Sequence, residues 1–407
     1  MNCRHCAQPL HHQFLDLGFA PPSNAYLSKA ALAKPEVYFP LRLLVCEHCW
    51  LVQTEDYAQA EQLFDDDYAY FSSISSSWLA HSQHYTIQIQ QRLGLNAQSY
   101  VVEIASNDGY LLKNFVQAGI PCLGIEPTAS TANAAEALGI PVLREFFTEA
   151  LGQALATQGS QADLIIGNNV YAHVPDINDF TRGIKALLKP NGTVTLEFPH
   201  LMQLIQHNQF DTVYHEHFSY LSLFTVMRLF EAARLQVWDV EELPSHGGSL
   251  RIYGAHLEAA KNATPAVAEL LAKETAHGMQ QLPTYLDFQI RAERIKNALL
   301  SFLLEQKRLG KTVAAYGAAA KGNTLLNFAG IKTDLLAYVC DAAPSKQGKY
   351  LPGSHIPIVA PQVLMERQPE LVLLLPWNIA DELRLALSAI GDWGGRFVTA
   401  VPELRIY

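Results

Sequence analysis

No stretch of the 407-residue sequence approaches the ~18 consecutive apolar residues that cross a bilayer as a helix, so no membrane partner is expected. The first residues, Met-Asn-Cys-Arg-His-Cys, lack the apolar core of a secretory signal, and the chain is expected in the cytoplasm. Charge is scarce at 17%, and its balance is acidic, with 29 Lys and Arg against 39 Asp and Glu and a net charge of −10. Nucleic-acid binding wants a basic stripe, so this balance argues against such a partner. Only six cysteines are present, and four of them form two C-x-x-C pairs, which in a reducing compartment read as metal ligands rather than disulfides.

Almost half of the sequence is apolar, enough for the cores of two or three domains. The chain is organised around Val101 to Leu112, where a β-rich run ends at Glu103, turns through Ala105-Ser106-Asn107-Asp108-Gly109 and restarts as a helix. Strand, tight turn and helix together make a nucleotide site, because the helix N-terminus points unpaired N–H groups at the ligand. The G-x-G-x-x-G dinucleotide fingerprint is missing from this turn. A second short strand closes on Glu126, about twenty residues after the turn, where a ribose-binding acid belongs. Further strands are expected at Ile140 to Leu143, at Asp163 to Gly167 before Asn168-Asn169-Val-Tyr-Ala-His173, and at Thr193 to Phe198. A helix near Leu221 to Ala233 and an antiparallel hairpin from Leu235 to Val240 and Ser249 to Gly254 complete the pattern.

At the N-terminus, Cys3-x-x-Cys6 and Cys46-x-x-Cys49 supply the four soft ligands of a closed tetrahedral zinc site. His5, His11, His12 and His48 are left as surface or supporting residues, and the acidic balance favours a structural staple over a nucleic-acid finger. The loop Leu17 to Ala25, rich in proline and small residues, is expected to be ordered but irregular. The cluster from Tyr68 through Tyr70 and Ser72 to Trp78 leads into a helix over Leu79 to Leu93. Its aromatics suit packing, and interleaved with hydroxyls they also suit a sugar or base.

After the fifth strand comes Tyr214-His215-Glu216-His217-Phe218. It is not H-E-x-x-H, and neighbours at i and i+2 seldom converge on one ion, so an acid/base loop is the better reading. His173 follows the fourth strand at the same sheet edge. Ser245-His246-Gly-Gly-Ser-Leu-Arg251 is a glycine turn into a strand, whose arginine is within reach of an anion. Helical periodicity from Pro265 to Leu309 places Phe288, Ala292, Ile295, Leu299 and Phe302 on one stripe of a bridging helix. The last hundred residues repeat α/β units. Gly317 to Asn323 departs from a Walker loop because Lys321 is not followed by Ser or Thr, yet with helix N–H groups it suits a phosphate. Asp341 to Gly348 adds Lys346 at the next strand end.

The paired C-x-x-C, E-I-A-S-N-D-G, N-N-V-x-A-H-V-P-D, Y-H-E-H-F-S-Y, H-G-G-S-L-R and G-A-A-A-K-G-N, with C-D-x-x-P-x-K-Q-G, resemble the nucleotide-sugar C-methyltransferases over nearly the whole chain. Five α/β repeats and a terminal hairpin likewise resemble the class I S-adenosylmethionine methyltransferase fold. The resemblance implies an α/β protein with a zinc-binding domain (1–68), a Rossmann-like methyltransferase domain (69–260), bridging helices (261–310) and a second Rossmann-like domain (311–407) that binds the nucleotide sugar. It implies structural zinc, S-adenosylmethionine as cofactor, and a thymidine diphosphate 4-keto-deoxysugar methylated on carbon 3. The cofactor would lie on Glu103, Ala105 to Gly109, Glu126, Asn168 and Asn169. Ala105, where methyltransferases often carry glycine, is the one departure in the turn. Carbon must become a nucleophile first, so His217 is expected as the base with Glu216 as its partner, and His173 and Tyr214 as groups that polarise or protonate the ketone. The expected substrate contacts are Tyr68, Tyr70, Ser72, His246, Arg251, Lys321, Asn323, Asp341 and Lys346. A monomer is expected. Methylation of oxygen or nitrogen in a small molecule, or a zinc-containing binding protein, are the alternative readings.

Overall fold

The computed structural model of the chain describes residues 1–55, 71–259 and 261–407, so Tyr68 and Tyr70 lie outside the described residues. Three sheets organise it. The first is antiparallel, with β1 (His12–Ala20), β2 (Phe39–Val45) and β3 (Val52–Thr54) in sequence order. Its fourth strand comes from far along the chain: β9 (Ser219–Tyr220) pairs antiparallel with β3, Val52 opposite Tyr220. The tips carrying Cys3, Cys6, Cys46 and Cys49 bring the four sulfurs within 4.8 Å of one another.

The second sheet holds β4 (Val101–Ile104), β5 (Cys122–Ile125), β6 (Val142–Leu143), β7 (Ala162–Asn168), β8 (Leu188–Pro199), β10 (Leu235–Leu243) and β11 (Ser249–His256). The spatial order is β10-β11-β8-β7-β4-β5-β6. Every neighbouring pair is parallel except those made by β11, which runs against both β10 and β8. The expected hairpin is therefore present, inserted so that its second strand meets the sheet first. Strand order reverses between β4 and β7, and ligands of open α/β sheets bind outside the carboxyl ends of the strands at such a point.

The third sheet, β12 (Val313–Tyr316), β13 (Val339–Cys340), β14 (Ile358–Val359), β15 (Leu371–Leu374), β16 (Arg396–Thr399) and β17 (Arg405–Ile406), has the order β14-β13-β12-β15-β16-β17, with only β17 antiparallel. Between the second and third sheets lie three helices, Pro265–Ala276, Leu282–Leu286 and Phe288–Arg308, where the periodicity had suggested one. The last of these buries Phe288, Ala292, Ile295, Leu299 and Leu303. Leu303 takes the place expected for Phe302, which is only partly buried, because the stripe closes on a step of four. This helix shares one apolar core with the first and third sheets, and Phe288 stacks on Phe14 of β1 at 4.7 Å between ring centroids. Among the described residues no helix is long and apolar enough to cross a membrane.

Candidate active site

A cavity of about 620 Å³ opens at the switch between β4 and β7 and continues to the third sheet. Its first wall is the turn after β4. Ala105 and Asn107 adopt φ of 57° and 50°, and Gly109 follows at 77°. A Cβ on Gly109 would sit 2.4 Å from Ile140 Cδ1, so this position needs glycine for both conformation and space. Glu126, at the end of β5, accepts N–H bonds from Asn107 at 2.9 Å and Thr128 at 3.0 Å, and lines the cavity. It braces the turn as well as facing the ligand space. Asn107 and Asp108 use side-chain oxygens on the backbone N–H groups of Ser72 and Ser73, both at 3.0 Å, which fastens that segment over the turn. Ser72 lines the cavity, whereas Glu103, Ser106 and Asp108 stand behind its surface. Glu103 is fully buried, and burial pushes its carboxyl well above the usual range, against the opposing hydrogen bond from Tyr110. Both amide atoms of Asn168 are buried without a partner while the residue lines the cavity. An orphaned amide on a cavity wall is costly until a polar ligand satisfies it.

The second wall is the loop between Thr212 and Phe218. Phe218 N donates to Ala172 O at 2.8 Å, and Thr54 N donates to Phe218 O at 3.2 Å, so the loop is held between the second sheet and β3. Within it, His217 Nδ1 lies 2.9 Å from the Thr212 carbonyl. A carbonyl only accepts, so Nδ1 carries the proton and Nε2 keeps its lone pair. The partner that fixes this ring is thus the Thr212 carbonyl, the task that sequence reasoning gave to Glu216. Burial holds the His217 imidazole well below its usual pKa, with His173 nearby adding to the effect. His173 packs edge-on to it at 4.5 Å and hydrogen-bonds the Glu216 backbone, while Tyr214 lies at 4.0 Å. Burial lowers His173 to about 4. Glu216 is raised to about 7 by burial, and Asn24 Nδ2 donates to it at 2.8 Å. His215 turns away, with Nε2 3.2 Å from Pro40 O.

The third wall comes from the last sheet. Lys321 Nζ reaches Asn378 Oδ1 at 2.7 Å and lies 5.0 Å from the centre of the Trp377 ring. Lys346 Nζ reaches Ala318 O at 2.9 Å. Burial lowers the pKa of both ammonium groups. Trp377 Nε1 also donates to Asp211 at 2.7 Å, which ties this wall to the segment just before the His217 loop.

Of the other expected contacts, His246 lines the cavity, but Arg251, Asn323 and Asp341 do not. Arg251 pairs with Glu197 at 2.7 Å and Glu241 at 3.3 Å. Asp341 accepts N–H bonds from Ala318 at 2.7 Å and Ala343 at 2.8 Å, and so shapes the turn. Asn323 Nδ2 bonds Ser23 O at 2.6 Å. Sequence reasoning missed Asn24 and Asn378 on the cavity wall, which also includes Trp78 of the aromatic and hydroxyl cluster. The proline-rich loop around Asn24 carried the only signal: an ordered irregular segment is where a function-bearing side chain is placed.

The metal centre fits its ion. Zinc–sulfur bonds of about 2.3 Å in a tetrahedron require sulfurs ~3.8 Å apart. Cys3 and Cys49, and likewise Cys6 and Cys46, are 3.5 Å apart, and all four fall within 4.8 Å.

A seven-stranded sheet of this order, with a cradle after its first strand and a cysteine-bound metal centre ahead of it, defines a class I, Rossmann-like methyltransferase. Known proteins carry the same stamp. Residues 3–64 match a family described as a zinc binding domain, 78–240 a methyltransferase domain, and 244–402 a C-methyltransferase C-terminal domain. C-methyltransferase NovU of Streptomyces niveus is 37% identical over 407 residues, covering 99% of this chain and 96% of that one. An uncharacterized methyltransferase of Mycobacterium leprae is 29% identical over 98 residues, 24% of this chain and 36% of its own. Among solved structures, the Burkholderia thailandensis 1,6-didemethyltoxoflavin-N1-methyltransferase covers 51% of this chain and 95% of its own at 16% identity, with a TM-score of 0.38. The chain belongs to the C-methyltransferase family and is an S-adenosylmethionine-dependent enzyme with a zinc-binding N-terminal domain.

Proposed function

We propose that the enzyme methylates carbon 3 of a thymidine diphosphate-linked 4-keto-deoxysugar. The observation that carries this is the make-up of one cavity, which is lined at once by the turn after β4, by His217 and by two buried lysines of the last sheet. When bound, S-adenosylmethionine supplies an electrophilic methyl group. Asn107, Glu126, Asn168 and Asn169 would hold it, with Glu126 on the ribose hydroxyls and Glu103 behind the turn near the cofactor's ammonium. His217 acts first. Its Nε2 lone pair removes the proton from carbon 3, and the pair of electrons left behind delocalises onto the ketone oxygen, giving an enolate whose carbon 3 would take the methyl group as the sulfonium S–C bond breaks, its electron pair going to sulfur and S-adenosylhomocysteine leaving. The Thr212 carbonyl stabilises the imidazolium through Nδ1–H. His173 and Tyr214 pack against this ring, where they would polarise or protonate the ketone oxygen.

Lys321 and Lys346 take the diphosphate. The Lys321 ammonium is buried against the neutral Asn378 oxygen, at a desolvation cost that an anion would offset, whereas Lys346, at the Ala318 carbonyl, also pairs with Asp341 at 3.7 Å. The test is hydrogen exchange. In deuterated water, with S-adenosylhomocysteine in place of the methyl donor, the enzyme should exchange the carbon 3 hydrogen of the keto sugar, and His217→Asn should lose that exchange together with methylation. If His217→Asn loses methylation but exchanges at the wild-type rate, the base is His173 or Tyr214. A methylated oxygen with no exchange would refute the carbon chemistry.

A further inference from the structure

Removing a proton next to a ketone leaves negative charge on the oxygen. His217 accounts for the proton, His173 and Tyr214 are the groups expected at the ketone, and a further hydrogen-bond donor would stabilise the oxygen as it gains charge. Two residues with left-handed backbone lie on a different part of the cavity wall. Asn169, just after β7, has φ of 53°, and His246, just before β11, has φ of 55° and ψ of 18°. Left-handed backbone is uncommon outside glycine and persists only where the surroundings enforce it, and such strain collects at functional sites. Here both residues line the cavity, and their side chains are bonded to each other, Asn169 Nδ2 to His246 Nε2 at 3.1 Å.

The enforcement is visible on all sides. Ser245 Oγ donates to the buried Glu197 at 2.8 Å, Gly248 N returns to Ser245 O at 2.9 Å, and Gln209 Nε2 donates to Gly247 O at 2.7 Å. A Cβ on Gly247 would lie 2.7 Å from the Trp377 ring, so the turn is clamped sterically as well. Asn169 N donates to Glu197 O at 2.7 Å. One residue of β8, Glu197, therefore anchors both halves of the pair. Trp78 covers the imidazole at 5.3 Å between ring centroids. An amide N–H can only donate, so Nε2 of His246 is the acceptor and the single proton of the neutral ring sits on Nδ1. Burial, assisted by the Lys321 charge, keeps His246 down at about 4, so the ring stays neutral near pH 7.

We infer that His246, fixed by Asn169 as the Nδ1–H tautomer, donates a hydrogen bond to the ketone oxygen and stabilises the enolate. This rests on the keto-sugar reading above. A neutral imidazole suits the task because it strengthens its bond as the oxygen gains charge, yet does not give up its proton to a weakly basic ketone. The prearranged tautomer also avoids reorganisation at the moment of reaction.

Two variants of the full-length, zinc-loaded enzyme test it, both with side chains that tolerate left-handed backbone. His246→Asn removes the imidazole donor. Asn169→Asp places a pure acceptor against Nε2, which draws the proton there and leaves His246 in position with no Nδ1–H to offer. Exchange at carbon 3 of thymidine diphosphate 4-keto-6-deoxyglucose, measured in each variant at S-adenosylhomocysteine concentrations shown by calorimetry to saturate it, because Asn169 is also among the residues that would hold the cofactor, should fall about 10²-fold or more in each, the usual loss for one oxyanion donor. Methyl transfer should fall equally, with sugar affinity within about threefold of wild type by this reading. Nitrogen NMR of the histidine-labelled wild type should place the His246 proton on Nδ1, and that of Asn169→Asp should place it on Nε2. Wild-type exchange rates in His246→Asn, or an Nε2 proton in the wild type, would overturn the assignment. A wild-type enzyme that exchanges no hydrogen on either carbon flanking the ketone would instead overturn the keto-sugar reading, and this inference with it.

Discussion

Glu216 shows what burial does to a single side chain. Its carboxyl is raised to about 7 by loss of solvent, with the Asn24 amide as the opposing influence. A carboxyl raised in the folded state favours folding fully below its ordinary value near 4.5, and that contribution is lost as pH climbs through about 7. Glutamine imitates the protonated acid and keeps an oxygen for Asn24. Glu216→Gln should therefore change stability little at pH 5 and stabilise the protein at pH 8 by up to roughly 3 kcal/mol. Urea unfolding of both proteins at the two pH values checks this, and an equal difference at both would show that Glu216 is ionised in the fold throughout. The residues also mark where sequence reasoning stopped. Cysteine spacing, the turn after β4 and the two lysines announced themselves because their chemistry is local. Arg251 looked like an anion receptor because its true partner, Glu197, is 54 positions away. Asp341 looked like a ligand contact because nothing in the sequence says that two backbone N–H groups already occupy it.

At the scale of elements, the strands were legible and their pairings were not. Five α/β repeats and a hairpin follow from apolar runs and turn residues. The two-residue β9 left no pattern, yet its bond to β3 is what holds the His217 loop. The cysteines sit at the tips of that same sheet, and Thr225 Oγ1, on the helix that follows β9, donates to Cys49 O at 3.2 Å. Metal binding is folding free energy for such a site. Cys46→Ser should lower the melting temperature and the zinc content together, and the soluble fraction that survives should retain cofactor binding, because the turn after β4 lies in another sheet. Metal analysis and calorimetry measure both. A metal-free Cys46→Ser enzyme with wild-type stability and activity would remove the assignment. The bridging stretch is of a different kind: Gly278 and Pro283 divide it into three helices, and periodicity alone does not register a change of direction.

For the whole molecule, the consequence is division of labour around one cavity. In the proposed reaction the second sheet holds the methyl donor, the loop clamped by the first sheet offers His217 as the base, and the third sheet offers the lysines. Lys321→Ala should raise the KM for the nucleotide sugar about tenfold or more, the loss of a charge-assisted contact of roughly 1.5 to 3 kcal/mol, while cofactor affinity by calorimetry stays at the wild-type value. If both constants are unchanged, the diphosphate binds elsewhere. Asp211 and Trp377 join the lysine wall to the base loop, so a modest drop in kcat is also expected.

The strand that completes the first sheet has a further consequence during synthesis. While the ribosome is still making the second sheet, β3 has no partner on one side, and its N–H and C=O groups stay open until Tyr220 has emerged. An uncovered edge of this kind invites pairing with another nascent chain. The zinc-bearing region is thus not a detachable module that folds first and waits. A fragment ending before Ser219 is expected to stick to its neighbours, and an exchange of N-terminal regions between related enzymes should succeed only when the donor's β9 travels with it.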